Sequence, residues 1–256
     1  GFAKRARLLI EHGVDLNTPD SNYYPTYTVG YVPYQVALMR GMPEIATLIK
    51  AKGGRADPLG PYEAFQAACM AGDTDTASTL ATAHLGQHPE KDVEMLCEAA
   101  GNNMIAAVRT MIDLGFPLNP THTRTPLHVA AFKGHIEVVR MLIAAGAATA
   151  LRDPSYNTPP FVHALHNHQT AVADVLLSHP IDIFAAAAMG RIDHIDRALA
   201  QDATLINARF ASVRTSSDET YVNDWTTPLW FAAMNGRTEA AAHLLQHGAD
   251  PTIADA

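Results

Sequence analysis

The sequence predicts an all-α solenoid of stacked helix pairs with finger loops and two irregular insertions, forming a single domain over residues 1–256. Three observations carry that prediction. A block beginning Thr125-Pro126-Leu127-His128-Val129-Ala130-Ala131 returns as Thr227-Pro228-Leu229-Trp230-Phe231-Ala232-Ala233, with Gly134 and Gly236 at matching distances. Weaker copies align on the small pair and the mid-unit glycine, placing unit starts near 32, 63, 94, 125, 158, 181 and 227 after a partial unit over 1–31. Such a period marks a repeat architecture, because one helix pair cannot bury its apolar face alone. Composition agrees: 48% of residues are hydrophobic but only 7% aromatic, and alanine recurs throughout. That favours helices in close approach over a thick β core.

The elements follow in chain order. Phe2 to Gly13 reads as the second helix of a unit whose first helix is absent, which would expose Leu8, Leu9 and Ile10. The start, without an initiator Met, suggests a cut from a longer protein or a processed tag. From Gly13 to Val32 the connection is about seven residues longer than from Gly146 to Thr158. Its surplus carries Tyr23, Tyr24 and Tyr27, with Tyr31 and Tyr34 close behind. Tyrosine joins a large contact area to a polar tip, a common feature of binding surfaces.

Within the unit at Thr125, the threonine hydroxyl can cap the first helix, and Pro126 forfeits an amide that would be unpaired anyway. Glu137 opens the second helix at its positive dipole end. The same acidic position recurs as Glu44, Asp75, Asp193 and Glu239, each three residues after a glycine. The step from Thr158 to Ile181 is only 23 residues, so Ser178-His179-Pro180 leaves no finger. The next step is 46, with its excess in the 208–224 loop. Long loops on a rigid scaffold are enriched in function.

These residues resemble the ankyrin repeat, the units at Thr125 and Thr227 most specifically, and the resemblance spans essentially the whole chain. It implies a solenoid with hairpin fingers and a protein-binding role. It gives His128 and His135 structural positions, and His168, aligned with His135, receives the same reading. His12 and His247 align beside helix-ending glycines, where an imidazole can meet free carbonyls. The family's groove positions are the two residues before each mid-unit glycine position. Here they are Met39 and Arg40, Met70 and Ala71, Phe132 and Lys133, Leu165 and His166, Ala188 and Met189, and Met234 and Asn235. Finger positions fall at Tyr31, Tyr62, Arg124, Asn157 and Thr226.

The expected partner-binding set is therefore Tyr31, Met39, Arg40, Tyr62, Met70, Arg124, Phe132, Lys133, His166, Met189 and Met234, joined by Arg214 and Tyr221 of the long loop. It should form one continuous concave face with an adaptable apolar stripe. The competing reading is an enzyme or small-molecule binder with a pocket closed by the 208–224 loop, using Arg209, Arg214, Asp218, Tyr221 and His166. No nucleophile elbow, P-loop or dinucleotide fingerprint supports catalysis. His163 and His166 have a metal-ligand spacing, but no cysteine or carboxylate adjoins them and His168 should turn away. Asp193, His194 and Asp196 read as ordinary second-helix residues. No metal and no cofactor are expected.

A net charge of −8 favours a partner protein with a basic surface and argues against nucleic acid. No apolar run approaches the ~20 residues of a membrane span. Cys69 and Cys97 read as buried free thiols of a reducing compartment. Together these place the protein in the cytoplasm, or as a secreted effector delivered to a host cell. The alanine- and histidine-rich style points to a bacterial effector or immunity protein.

Overall fold

The computed structural model describes residues 2–19, 30–155, 158–179, 182–213, 220–222 and 226–253. After the first helix, its helices occur in consecutive packed pairs, as the repeat pattern predicts. The chain divides into two compact units, Gly1–Pro117 and Leu118–Ala256.

The first unit contains α1 (Phe2–Glu11), α2 (Pro33–Met39), α3 (Pro43–Ala51), α4 (Pro61–Ala71), α5 (Thr74–His84), α6 (Pro89–Gly101) and α7 (Ile105–Asp113). Proline at the first helical position opens α2, α3, α4 and α6, where its missing N–H removes nothing. α1 packs on α3. Of the three apolar residues expected to be exposed there, Leu8 and Leu9 are, at 55% and 56%. Ile10 is instead buried with Ala37, Ile45, Ala46 and Ile49, because it lies on the helix face turned toward α3. The helices starting at Pro61 and Pro89 begin before the expected unit starts at 63 and 94. The prolines are the stronger start signal.

The second unit contains α8 (Pro126–Lys133), α9 (Ile136–Ala144), α10 (Pro160–His166), α11 (Thr170–Leu177), α12 (Ile183–Met189), α13 (Ile192–Gln201), α14 (Pro228–Met234) and α15 (Thr238–Gln246). Thr125 accepts from the amide of His128, the predicted cap, and Thr227 accepts in the same way from that of Trp230. Ala130 and Ala131 are fully buried, which lets α8 pack closely on α10. Glu137, Asp193 and Glu239 occupy first turns of second helices, as do Glu44 and Asp75 in the first unit. There the carboxylate meets the positive end of the helix dipole.

The unit at 158 departs from the expected register by one residue. Thr158 is followed by two prolines, and the second takes the first helical position, so Pro159 is the N-cap. His168 consequently ends α10 with φ +56. It does the work of Gly134, which has φ +79, and is not the counterpart of His135. The inner pair there is His166 and Asn167, in place of Leu165 and His166.

Within the 208–224 loop the described residues include two paired strands. β1 (Ala211–Val213) pairs antiparallel with β2 (Thr220–Val222), and the Phe210 amide donates to Thr226 O at 2.9 Å across its base. Phe210 meets Phe184 and Phe231 edge-on, with centroids 5.3 and 5.1 Å away, and the Arg152 guanidinium stacks 4.5 Å from its ring. The base of the loop is thereby filled with packed aromatic rings.

Candidate functional site

The inner helices α8 and α10 enclose a pocket of about 380 Å³, lined by Arg124, Phe132, Thr158, Val162, His163 and His166. Arg124 comes from the segment before α8, Phe132 from the last turn of α8, and His166 from the end of α10. Three sequence-predicted residues thus converge here. A fourth, Lys133, holds its Nζ 5.8 Å from the Phe132 ring centroid.

Behind the pocket wall lies a polar network that no sequence spacing suggested. His163 Nε2 donates to Asp153 Oδ2 at 2.5 Å, and Asp153 Oδ1 accepts from the Ser155 amide at 2.9 Å. Arg124 Nε stands 4.0 Å from the same carboxylate, whose side chain is fully buried. The His128 ring meets the His163 ring edge-on at 5.1 Å. His128 Nδ1 accepts from the Thr125 hydroxyl at 2.7 Å, and its Nε2 donates to Thr158 O at 3.0 Å, tying neighbouring repeats together. Burial, with the nearby His163 adding to it, pushes the His128 imidazole down to about 4. Burial also holds His163 below the usual range, against the opposing pull of Asp153.

This network makes stability depend on pH. A histidine of depressed folded pKa contributes stability above its unfolded pKa of about 6.5 and loses it as pH falls toward the folded value. Thermal melting of the protein should therefore decline from pH 6.5 toward 4 more steeply than that of His128→Gln. Gln35 and Gln66 hold the equivalent position in other units, and Gln35 Nε2 donates to Pro58 O at 2.8 Å. Glutamine can thus make the bridge without titrating. Parallel pH profiles for the two proteins would refute the assignment.

The remaining expected residues lie elsewhere. Met39 and Met70 are buried, at 1% and 2% exposure, and not on an open groove. They lie where α2 and α4 come close, Met39 O accepting from Gln66 Nε2 at 3.5 Å, so their thioethers fill interhelical space. Arg40, also expected in the groove, sits 3.7 Å from Glu98 with little of its side chain exposed. Tyr31 donates its hydroxyl to Glu63 at 2.7 Å. Tyr62 belongs to the first turn of α4 and not to a finger, because that helix starts at Pro61, and it donates to Asp92 at 3.3 Å.

Met189 is half-buried, whereas Met234 is 71% exposed. Arg214, Asp218, Asn157, Tyr23, Tyr24 and Tyr27 lie outside the described residues, as does the Tyr221 side chain. Thr226, expected in a finger, is buried at the base of the long loop. His12 and His247 meet carbonyls as expected, donating from Nδ1 to Leu8 O and His243 O, each at 2.8 Å. Cys69 is buried, but Cys97 is only half-buried.

Tandem helix pairs, two of them capped by Thr-Pro, with first helices closed by left-handed residues and a polar side chain bridging neighbours, define the class of helical repeat scaffolds. Sequence comparison specifies the family. The pattern described as ankyrin repeats in three copies matches residues 64–153 and 96–187, and the single ankyrin repeat matches 224–256. These spans cover more than half of the chain, which belongs to the ankyrin-repeat family. It is 28% identical over 241 residues to "Ankyrin repeat and KH domain-containing protein mask-1" of Caenorhabditis elegans. That match covers 88% of this chain and 9% of the relative. Ankyrin repeats generally mediate protein–protein interaction. Among the described residues, no helix is long and apolar enough to cross a membrane.

Proposed function

We propose that the chain binds another protein through its inner-helix groove and finger loops, with the pocket lined by Arg124, Phe132 and His166 as the anchor. The observation that carries this reading is the pocket itself. Residues from two repeats form an open apolar recess whose aromatic wall is half-buried and whose lining includes Arg124, with Lys133 beside the Phe132 ring. An apolar side chain beside a carboxylate fits that chemistry. The net charge of −8 favours a partner whose wider surface is basic. Only two cysteines in a chain of this length favour a reducing compartment such as the cytoplasm. That compartment is equally the setting of an effector delivered to a host cell.

The test is affinity capture from the native lysate, with the intact chain and Phe132→Ala as parallel baits. A few buried anchors usually dominate interface energy, so truncating Phe132 should weaken the captured complex by more than about 1 kcal/mol. Folding should survive, because the ring is only half-buried. Equal capture by both baits, with both folded, would remove the pocket from the binding surface.

A further inference from the structure

Away from this pocket, a second set of side chains has the donor types and placement of a metal site. His243 and His247 lie one helical turn apart at the end of α15, and their rings are 4.2 Å apart between centroids. Asp196, from α13, reaches them, with Oδ1 2.6 Å from His243 Nε2. One ligand atom from each residue lies within 4.8 Å of the other two. Two imidazoles at i and i+4 on one helix, with a carboxylate from a neighbouring helix, match the nitrogen and oxygen ligands that zinc takes.

The hydrogen bonding prepares one ligand. His247 donates Nδ1–H to His243 O at 2.8 Å, which places its proton there and leaves the Nε2 lone pair available. Outer contacts of this kind fix tautomer and ring orientation in metal-binding histidines. Two ligands of one tetrahedral zinc stand about 3.3 Å apart, by the usual bond lengths. His243 Nε2 and Asp196 Oδ1 must therefore separate slightly, and His243 must carry its proton on Nδ1. Asp196 is 53% exposed and free to rotate that far. Beside the pair is a depression of about 320 Å³, with Asp196 and His247 at its edge and Leu199 and Ile206 in its wall, which leaves room for water as a fourth ligand.

A second trio, His128, Asp153 and His163, is also close together but serves otherwise. Both ring nitrogens of His128 are engaged, by Thr125 and Thr158, and all three residues are buried. A metal there would have to break the bridge between repeats.

We propose that Asp196, His243 and His247 form a binding site for zinc or a similar divalent transition metal. Calorimetric titration of the full chain with Zn²⁺ at neutral pH, repeated with Co²⁺ followed by its visible absorption, tests this. The expected result is one saturable ion per chain and a tetrahedral Co²⁺ spectrum. His247→Gln and Asp196→Asn should each weaken binding by about tenfold or more, with thermal melts in EDTA matching the parent protein. His163→Gln should leave the affinity unchanged. The proposal is overturned by absence of saturable binding, by affinity that His247→Gln leaves intact, or by binding that His163→Gln abolishes.

Discussion

Asp153→Ala is expected to destabilise the protein by about 2–4 kcal/mol, since each buried donor left unsatisfied costs roughly 1–3 kcal/mol. The carboxylate is fully enclosed, and it holds both the His163 imidazole and the Ser155 amide. Deleting it leaves two donors without the acceptor they now share, while Arg124 loses a nearby countercharge. For a chain of this size the loss corresponds to a melting temperature lower by roughly 10 °C. Replacing both partners, as Asp153→Leu with His163→Leu, should recover much of it, since an apolar pair of similar volume removes the orphaned imidazole as well. Denaturant unfolding of the single and double variants measures both quantities. A single variant within about 1 kcal/mol of the parent would show that the pair does not hold this part of the fold.

Gly41→Ala should cost about 3 kcal/mol, for two separable reasons. Gly41 has φ +66, where an L side chain carries a penalty of roughly 1–2 kcal/mol. A Cβ there would also stand 2.2 Å from the carbonyl oxygen of Met70, and overpacking adds roughly 1–3 kcal/mol. The backbone of α4 cannot rotate away as a side chain could. Gly13 supplies the control: its φ is +79, but a Cβ there meets nothing within 4 Å. Gly13→Ala should therefore show the conformational penalty alone. Equal losses for the two variants, measured by chemical denaturation, would mean that α2 and α4 do not approach as closely as described.

The helix pairs were legible because each carries several independent signals at once. Pro126, Thr125 and Glu137 mark starts, Gly134 marks a stop, and Ala130 with Ala131 marks a close contact. Where one signal competed with another, the register slipped. At Thr158-Pro159-Pro160 the second proline set the helix start, moving His168 into the left-handed position and Asn167 into the inner row.

Side-chain fate was harder to read than helix position. Met39 and Met70 occupy the same place in their units as Phe132, yet they are buried. What covers them is a neighbouring helix drawn in by glycine, and that distance is a property of the stack. Of the candidate pocket, Arg124, Phe132 and His166 followed from repeat position. Asp153 and His163 did not, because their pairing depends on how a finger folds back over the end of a helix. The spacing of His243 and His247 was visible, but Asp196 is 47 residues away from His243 and nothing in the sequence joined them.

The bridging position of the repeats has one more consequence. In Leu118–Ala256 the buried titratable groups include three imidazoles, and burial is the leading cause holding His128, His163 and His194 below their ordinary range. In Gly1–Pro117 Gln35 takes the bridging place in its unit, and the buried or half-buried titratable groups include carboxyls. Burial pushes Glu98 up to about 7 despite Arg40 at 3.7 Å, and pushes Asp92 up as well. A carboxyl raised in the folded state contributes stability at low pH and loses it as pH rises through its folded value. Acidification from pH 7 toward 5 therefore acts against the stabilising contribution of the C-terminal imidazoles and in favour of that of Glu98. Between pH 7 and 5 these imidazoles and these carboxyls thus contribute to the pH dependence of folding with opposite sign.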